Sequence, residues 1–272
     1  MDLIQALVLG FVQGLTEFLP ISSSAHLRFV PALLGWEDPG AAFTAVTQIG
    51  TETAVLIYFR RDIAGLIRAF LRGLRSRDAR QELEWRLAWY VGIGTLPIGL
   101  LGFAFRDVIT DEVRDHLALM AVALIAVGLL LLVADRRAAQ TRDIQDLSAR
   151  DAVLLGLAQA AALFPGVSRS GGTLTAGLFL GLSREAATRF SFLLAIPAVL
   201  ASGLFTLPDV VEGSGPGLVP TALATLLAFV VGYASIAGLL KFVVNHTLTV
   251  FVVYRVVLGT LMLTLLAAGV VG

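Results

Sequence analysis

Two short stretches of this chain gather residue types that phosphate chemistry uses and hydrocarbon interiors exclude. In the first, Gln13 and Glu17 stand four residues apart, so a helix carries both on one face. Pro20, the run Ser22-Ser23-Ser24 and His26 follow at once. In the second, Pro165-Gly166-Val167-Ser168-Arg169-Ser170-Gly171-Gly172-Thr173 offers hydroxyl donors, the pair Gly171-Gly172 for close backbone approach, and a guanidinium. A helix opening there would present free N–H groups to an anion, and Arg169 adds a planar, permanently charged fork matched to phosphate oxygens. Glu17, helped by Gln13, could hold Mg²⁺ or Ca²⁺ through oxygen ligands. His26 has the proton affinity of a general acid or base near neutrality. Ser23 could be the attacking nucleophile or only a phosphate donor. Phosphoryl transfer needs charge neutralisation and an oriented nucleophile, and these residues supply both without fixing which does what.

The elements that must position them are membrane elements. Of 272 residues, 57% are hydrophobic and 15% charged, and the mean hydropathy is +0.86. A soluble domain runs at roughly 45–50% apolar and about 25% charged, so a soluble globule is excluded. Twenty basic residues balance twenty acidic ones, which removes the basic excess of a nucleic-acid binder. With no cysteine, disulfides, thiolate metal sites and thiol nucleophiles are excluded. The first stretch, with Gln5, Gln13 and Glu17, does not read as a cleaved signal peptide.

Six stretches reach the ~20 apolar residues that a spanning helix requires: about 41–59, 87–105, 117–134, 187–206, 219–241 and 248–270. Residues 2–34 and 152–182 are apolar but interrupted, at Pro20 with its serines and at Pro165-Gly166 with Ser168-Arg169-Ser170. Exposed irregular backbone is not tolerated in lipid, so each region is predicted to be a re-entrant hairpin of two half-length helices. The loop 60–86 carries eight arginines and is assigned to the cytoplasm; loop 135–151, with Arg136, Arg137, Arg142 and Arg150, joins it. Loops 106–116 and 207–218, the latter with Asp209 and Glu212, suit the outside. The two hairpins then come in from opposite faces. Gly10-x-x-Gln13 recurs as Gly156-x-x-Gln159, and Pro20 with its serines as Pro165 with its serines, an offset of 145–146. The expectation is therefore an all-α polytopic protein, one transmembrane domain over 1–272, with inverted halves of about 1–134 and 150–272 and a site at their interface.

The stretch Gln13-Gly-Leu-Thr-Glu17-Phe-Leu-Pro-Ile-Ser22-Ser23-Ser-Ala-His26 resembles the [E/Q]-x-x-x-E signature of the undecaprenyl-diphosphate phosphatase family, the bacitracin-resistance type. Pro165-Gly-Val-Ser-Arg169-Ser170-Gly-Gly-Thr173 resembles that family's P-G-x-S-R-S-x-x-T signature. The likeness runs on through Val46-Thr-Gln48-Ile-Gly50 and Phe190-Ser-Phe-Leu-Leu-Ala-Ile-Pro197. The resemblance implies a bacterial inner-membrane enzyme that hydrolyses undecaprenyl diphosphate to the monophosphate and inorganic phosphate on the outer side, using a divalent metal. That activity recycles the lipid carrier for cell-wall synthesis and confers bacitracin resistance. It further implies that Glu17, His26 and Arg169, with Ser23, are catalytic, that Ser22, Ser23, Ser168, Arg169, Ser170 and Thr173 bind substrate, and that Gln13 and Glu17 hold the metal. Expected partners are an isoprenoid diphosphate lipid and membrane lipids, with a homodimer as a candidate assembly and no nucleic acid.

Gln13 takes the neutral option of the first signature, so one metal-binding charge is missing there. Arg28, Glu52 and Arg189 also depart from the family's usual residues, and Glu52 is expected to pair with Arg28 or Arg189, since a lone buried charge is costly. A transporter or flippase for an anionic lipid phosphate is the competing function, because inverted repeats with broken helices also serve transport. Glu17, His26 and Ser23 beside Arg169 argue against it, as an anion carrier has little use for them. Among bland readings, the stripe Thr44, Thr47, Gln48, Thr51, Glu52 packs or touches substrate, His116 and His246 are solvated, Gly128, Gly232 and Gly238 pack helices, and the arginines of 60–86 anchor at anionic headgroups.

Overall fold

A computed structural model describes residues 1–104, 116–211 and 217–271. The charges of loop 106–116 other than His116, and Asp209 and Glu212 of loop 207–218, lie outside the residues whose side chains it describes. The described residues form eleven α-helices and no β-strand: α1 (Leu3–Phe18), α2 (Ser23–Leu34), α3 (Gly40–Tyr58), α4 (Arg60–Arg75), α5 (Leu83–Ala104), α6 (Leu117–Arg137), α7 (Ala149–Ala161), α8 (Arg169–Phe179), α9 (Arg184–Val211), α10 (Leu218–Asn245) and α11 (Thr249–Ala267).

By length and composition α5, α6, α10 and α11 can each cross a bilayer. They are apolar all round, and their outward faces expose Leu96, Leu100 and Phe103 on α5, Leu129 and Leu130 on α6, Leu226 and Val230 on α10, and Val253, Val257 and Leu261 on α11. In water such a surface would drive aggregation; against acyl chains it is solvated. The protein is a multi-pass membrane protein. Helices α3 and α9 are as long but more polar: α3 carries the Thr44–Glu52 stripe, and α9 begins with Arg184, Glu185 and Arg189.

Each interrupted region is a pair of short helices around a turn. Helix α1 opens with a capping box in which Asp2 accepts the Gln5 N–H and Gln5 returns the bond, and it stops before Pro20. Helix α7 opens with the equivalent box between Ser148 and Asp151 and stops before Pro165. Both pairs are held by glycine contacts too close for any side chain. A Cβ on Gly10 would lie 2.4 Å from the Ala224 carbonyl oxygen on α10, and one on Gly156 would lie 2.2 Å from the Gly94 carbonyl oxygen on α5. The matching glycines of the two sequence halves thus do the same job against different spans. Gly128 and Gly232 also pack tightly, against Arg255 and against Phe18 with Thr51, whereas Gly238 faces open space and packs nothing.

One end of the bundle is cross-tied. Arg86 Nη2 donates to the Gln145 carbonyl at 3.5 Å, Arg189 pairs with Asp62, Arg184 pairs with Asp135, and Asp135 Oδ2 accepts the Leu248 N–H at 2.9 Å. The connections 60–86, 135–151, 181–184 and 246–248 therefore share this end, the arginine-rich one expected from the sequence to be cytoplasmic. Helix α4, which the hydropathy pattern leaves as loop, lies here.

Candidate active site

The two interrupted regions meet turn to turn. Ser22 and Ser168 begin the second helix of each pair with φ of +73° and +75°. Such a backbone is disfavoured for residues with a Cβ and persists where the surroundings dictate it. Its recurrence at matched positions of the two halves marks both turns as built for a purpose. Ser168 Oγ accepts the Gly171 N–H at 3.1 Å and so caps α8, while Ser22 makes no such cap and lies 3.1 Å from Ser24 Oγ. Ser24 Oγ accepts the Gly166 N–H of the other turn at 3.4 Å, and Ser170 Oγ donates to the Leu19 carbonyl at 3.0 Å.

Beneath both turns lies Arg255, from the middle of α11 and fully buried. Its Nε donates to the Leu124 carbonyl at 2.8 Å and Nη1 to the Pro20 carbonyl at 3.0 Å. Nη2 donates to the Gly166 and Val167 carbonyls, both at 3.1 Å. One guanidinium thus satisfies carbonyls that the broken helices cannot pair for themselves, on both turns at once. The hydrophobicity of 248–270 masks this residue, although a lone arginine inside an apolar span is itself a functional signal.

At the meeting point Arg169, opening α8, forms an ion pair with Glu17 from the end of α1. Glu17 is 8% exposed at its side chain and Arg169 21%, so the pair is largely withdrawn from solvent. Ser23 Oγ donates to Glu17 Oε2 at 2.6 Å, and Gln13 Nε2 donates to the same oxygen at 3.2 Å and to Thr51 Oγ1 at 3.4 Å. A cavity beside this cluster is lined by Glu17, Thr51, Glu52, Arg169, Ser170 and Ser191, with an apolar wall that includes Phe18, Val55, Phe192 and Val199.

Gln13, Glu17, Ser23, Arg169 and Ser170 are therefore brought together as the spacing predicts. The remaining sequence-derived residues stand around them. His26 is held on both sides: Nδ1 lies 2.7 Å from the Ser22 carbonyl and Nε2 2.6 Å from the Tyr254 hydroxyl. A carbonyl only accepts, so Nδ1 carries a proton, and when the ring is neutral Nε2 accepts from the tyrosine hydroxyl. Thr173 Oγ1 donates to the Arg169 carbonyl at 2.7 Å and contacts Ser191, which fastens α8 to α9. The expected pairing of Glu52 is wrong. Arg28 pairs with Asp38, and Arg189 with Asp62, each near its own end of the molecule, while Glu52 faces the cavity. Tyr254 and Arg255 are the residues that sequence reasoning misses. Both sit on an apolar helix and act on groups more than 80 positions away in the chain.

The donor chemistry suits a hard divalent cation. Gln13 Oε1 is buried and makes no hydrogen bond, an unpaired oxygen on the side chain whose nitrogen is bonded to the Glu17 carboxylate. No three acidic, histidine or cysteine side chains converge among the described residues, so an ion held here would complete its shell with substrate oxygens, as Mg²⁺ commonly does.

Fold and site together define an integral membrane protein of broken helices whose polar turns meet around a carboxylate–guanidinium pair. The model of the bacitracin resistance protein BacA family matches residues 6–261, and the chain belongs to that family. It is 55% identical over 271 residues to an undecaprenyl-diphosphatase of Nocardioides sp., covering 99% of this chain and 98% of that one. It is 55% identical over 283 residues to undecaprenyl-diphosphatase 2 of Frankia casuarinae (99% and 96%). It is also 53% identical over 270 residues to an undecaprenyl-diphosphatase of Myxococcus xanthus (99% and 91%).

Proposed function

We propose that this chain hydrolyses undecaprenyl diphosphate to undecaprenyl phosphate and inorganic phosphate, recycling the lipid carrier of cell-wall synthesis and so conferring bacitracin resistance. The observation that carries the reading is the shared Glu17 carboxylate: Arg169 of one turn pairs with it, and Ser23 of the other donates to it at 2.6 Å. A transporter would need the guanidinium but has no use for a hydroxyl held on a carboxylate. That placement disfavours transport, as do full-length relatives bearing the diphosphatase name.

Arg169 is the diphosphate receptor. As phosphate oxygens arrive, its fork turns to them from Glu17, neutralising charge where the transition state spreads it. The Glu17 carboxylate, relieved of its partner, becomes the better acceptor for the Ser23 proton. The 2.6 Å contact is that of a nucleophile and its base, which supports Ser23 Oγ as the group that attacks the terminal phosphorus. The bridging P–O bond breaks, undecaprenyl phosphate leaves, and water then releases phosphate from the serine. Gln13 Oε1 and Glu17 would hold Mg²⁺ or Ca²⁺, which when bound neutralises the diphosphate and orients it. Ser170 and the N–H groups opening α8 bind phosphate oxygens; His26 and Ser168 keep the turns in shape, and the polyprenyl tail lies along the apolar wall of Phe192 and Val199.

The reading also includes architecture and placement: six spans and two re-entrant hairpins in two inverted halves, in the inner membrane, with the site open to the outer side. The exchange of glycine contacts between Gly10–Ala224 and Gly156–Gly94 supports the inverted halves, and the cross-tied arginine-rich end supports access from the opposite face. The test is phosphate release from undecaprenyl diphosphate by purified protein in detergent, with and without EDTA, alongside Arg169→Ala. Metal-dependent release that vanishes in the variant is expected. No release above the variant's background from folded protein would favour the transporter and call for a lipid-flipping assay.

A further inference from the structure

We infer that Glu52 is a second carboxylate ligand of the divalent cation, acting from α3 across the cavity from Glu17 and supplying the charge that the neutral Gln13 does not. The inference rests on the metal-dependent hydrolysis proposed above. Glu52 is 8% exposed and lines the same cavity as Glu17 and Arg169. The other two arginines that could have neutralised it are engaged elsewhere, with Asp38 and Asp62.

The independent sign of a ligand is Gln13 Oε1. Gln13 is 1% exposed, and its amide nitrogen reaches Thr51 Oγ1, the residue next to Glu52, at 3.4 Å. Yet its oxygen, equally buried, has no hydrogen-bond partner. Glu52 thus shares its cavity with a carboxylate whose one ion-pair partner among the described residues is Arg169, and the glutamine bonded to that carboxylate keeps a buried oxygen unpaired. Charge balance points the same way. Glu17 and Arg169 cancel, leaving nothing to attract a dication. With Glu52 ionised, as a bound dication would keep it, the cluster carries one net negative charge, and two once Arg169 turns to the substrate. A lone carboxylate at this depth is expensive, and a dication offsets that expense directly.

The test uses Mn²⁺ as the probe, read by loss of the free-ion electron paramagnetic resonance signal, on purified protein in detergent with methylenediphosphonate present to supply phosphate oxygens. Wild type, Glu52→Gln, Gln13→Glu and the double variant Gln13→Glu/Glu52→Gln are compared, with phosphate release by wild type measured in parallel. Glu52→Gln is expected to weaken Mn²⁺ binding by at least about tenfold, the lower bound seen even for outer-shell partners of metal ligands. The double variant, which moves the carboxylate to α1, is expected to recover to within a few fold of wild type. Should Glu52→Gln not fold, the double variant and the tighter binding expected of Gln13→Glu carry the test. Wild-type affinity in Glu52→Gln, or no recovery in the double variant, overturns the assignment while leaving hydrolysis intact. Absence of Mn²⁺ binding by a wild type that releases phosphate overturns the metal site altogether.

Discussion

At the scale of single residues the site is a competition for two partners, Glu17 and the diphosphate, and Arg169 must leave one for the other. A side chain that keeps the charge but not the fork can still neutralise phosphate, though it cannot hold two oxygens in a fixed plane. Arg169→Lys is therefore expected to retain measurable turnover, while Arg169→Ala falls by about 10²–10³ or more, the loss typical of removing a preorganised donor from a developing charge. Equal activity of the two variants in a phosphate-release assay would mean that Arg169 is structural. Ser23→Ala separates nucleophile from donor. Attack by Ser23 predicts activity at the Arg169→Ala background, whereas water attack predicts a partial loss. Tyr254 has a different task. Tyr254→Phe removes the only partner of His26 Nε2 seen among the described residues, stranding a buried nitrogen at about 1–3 kcal/mol. The expected result is a lower thermal midpoint with phosphate release per folded molecule largely kept. Loss of activity without loss of stability would place His26 in the chemistry itself.

Among elements, the half-helices depend on a residue that belongs to neither hairpin. Arg255 satisfies carbonyls of Leu124, Pro20, Gly166 and Val167, and removing it would leave those groups unpaired where no water reaches, at about 1–3 kcal/mol apiece. Arg255→Met should lower both thermal midpoint and activity, and Arg255→Lys should rescue neither fully, because an ammonium cannot span both turns. At the cross-tied end, Asp151 accepts from Arg142 Nη2 at 2.6 Å and from the Ser148 N–H and hydroxyl at 2.9 and 2.8 Å. Burial raises this carboxyl, but the bonds from Arg142 and Ser148 outweigh it and hold it below the usual carboxylate range. The unfolded chain then takes up the proton first, so the stabilisation is complete above the unfolded pKa of about 3.9 and disappears as pH falls through the lower folded value. Asp151→Asn should melt below wild type at pH 7, and that gap should close below about pH 4.

Element boundaries were legible because broken helices announce themselves. Pro20 and Pro165 with their serines interrupt otherwise apolar runs, and the helix pairs fall within 2–34 and within a few residues of 152–182. What stayed hidden was whatever acts through the backbone or at long range. Arg255 bonds carbonyls, which leave no mark in a side-chain pattern, and its own span is hydrophobic enough to swamp one charge. Glu52 is expected beside arginines that turn out to hold other partners, because charge balance predicts that a partner exists but not which element carries it. Helix α4 escapes a hydropathy reading because its arginines depress the hydropathy, although Ile67, Leu71 and Leu74 form one exposed apolar face along it.

For the molecule as a whole, the decisive property is direction, because an enzyme that recycles a lipid on one face must open its site there. The contacts at the cross-tied end join connections from both halves of the chain, so if any one of them is cytoplasmic, all of them are. On the proposed reading the loop arginines put that end in the cytoplasm, and Glu37, on the α2–α3 connection, is then expected outside. Because the chain has no cysteine, single cysteines can report this without background. Glu37→Cys should react with a membrane-impermeant maleimide on intact spheroplasts, whereas Arg77→Cys and Gln145→Cys should react only after permeabilisation. Dual labelling of one site would indicate two orientations in the membrane. Labelling of both Arg77→Cys and Gln145→Cys from outside, with Glu37→Cys protected, would invert the whole assignment and turn the site toward the cytoplasm. Labelling of Arg77→Cys but not Gln145→Cys would contradict the contact between Arg86 and the Gln145 carbonyl, and with it the way the halves are joined.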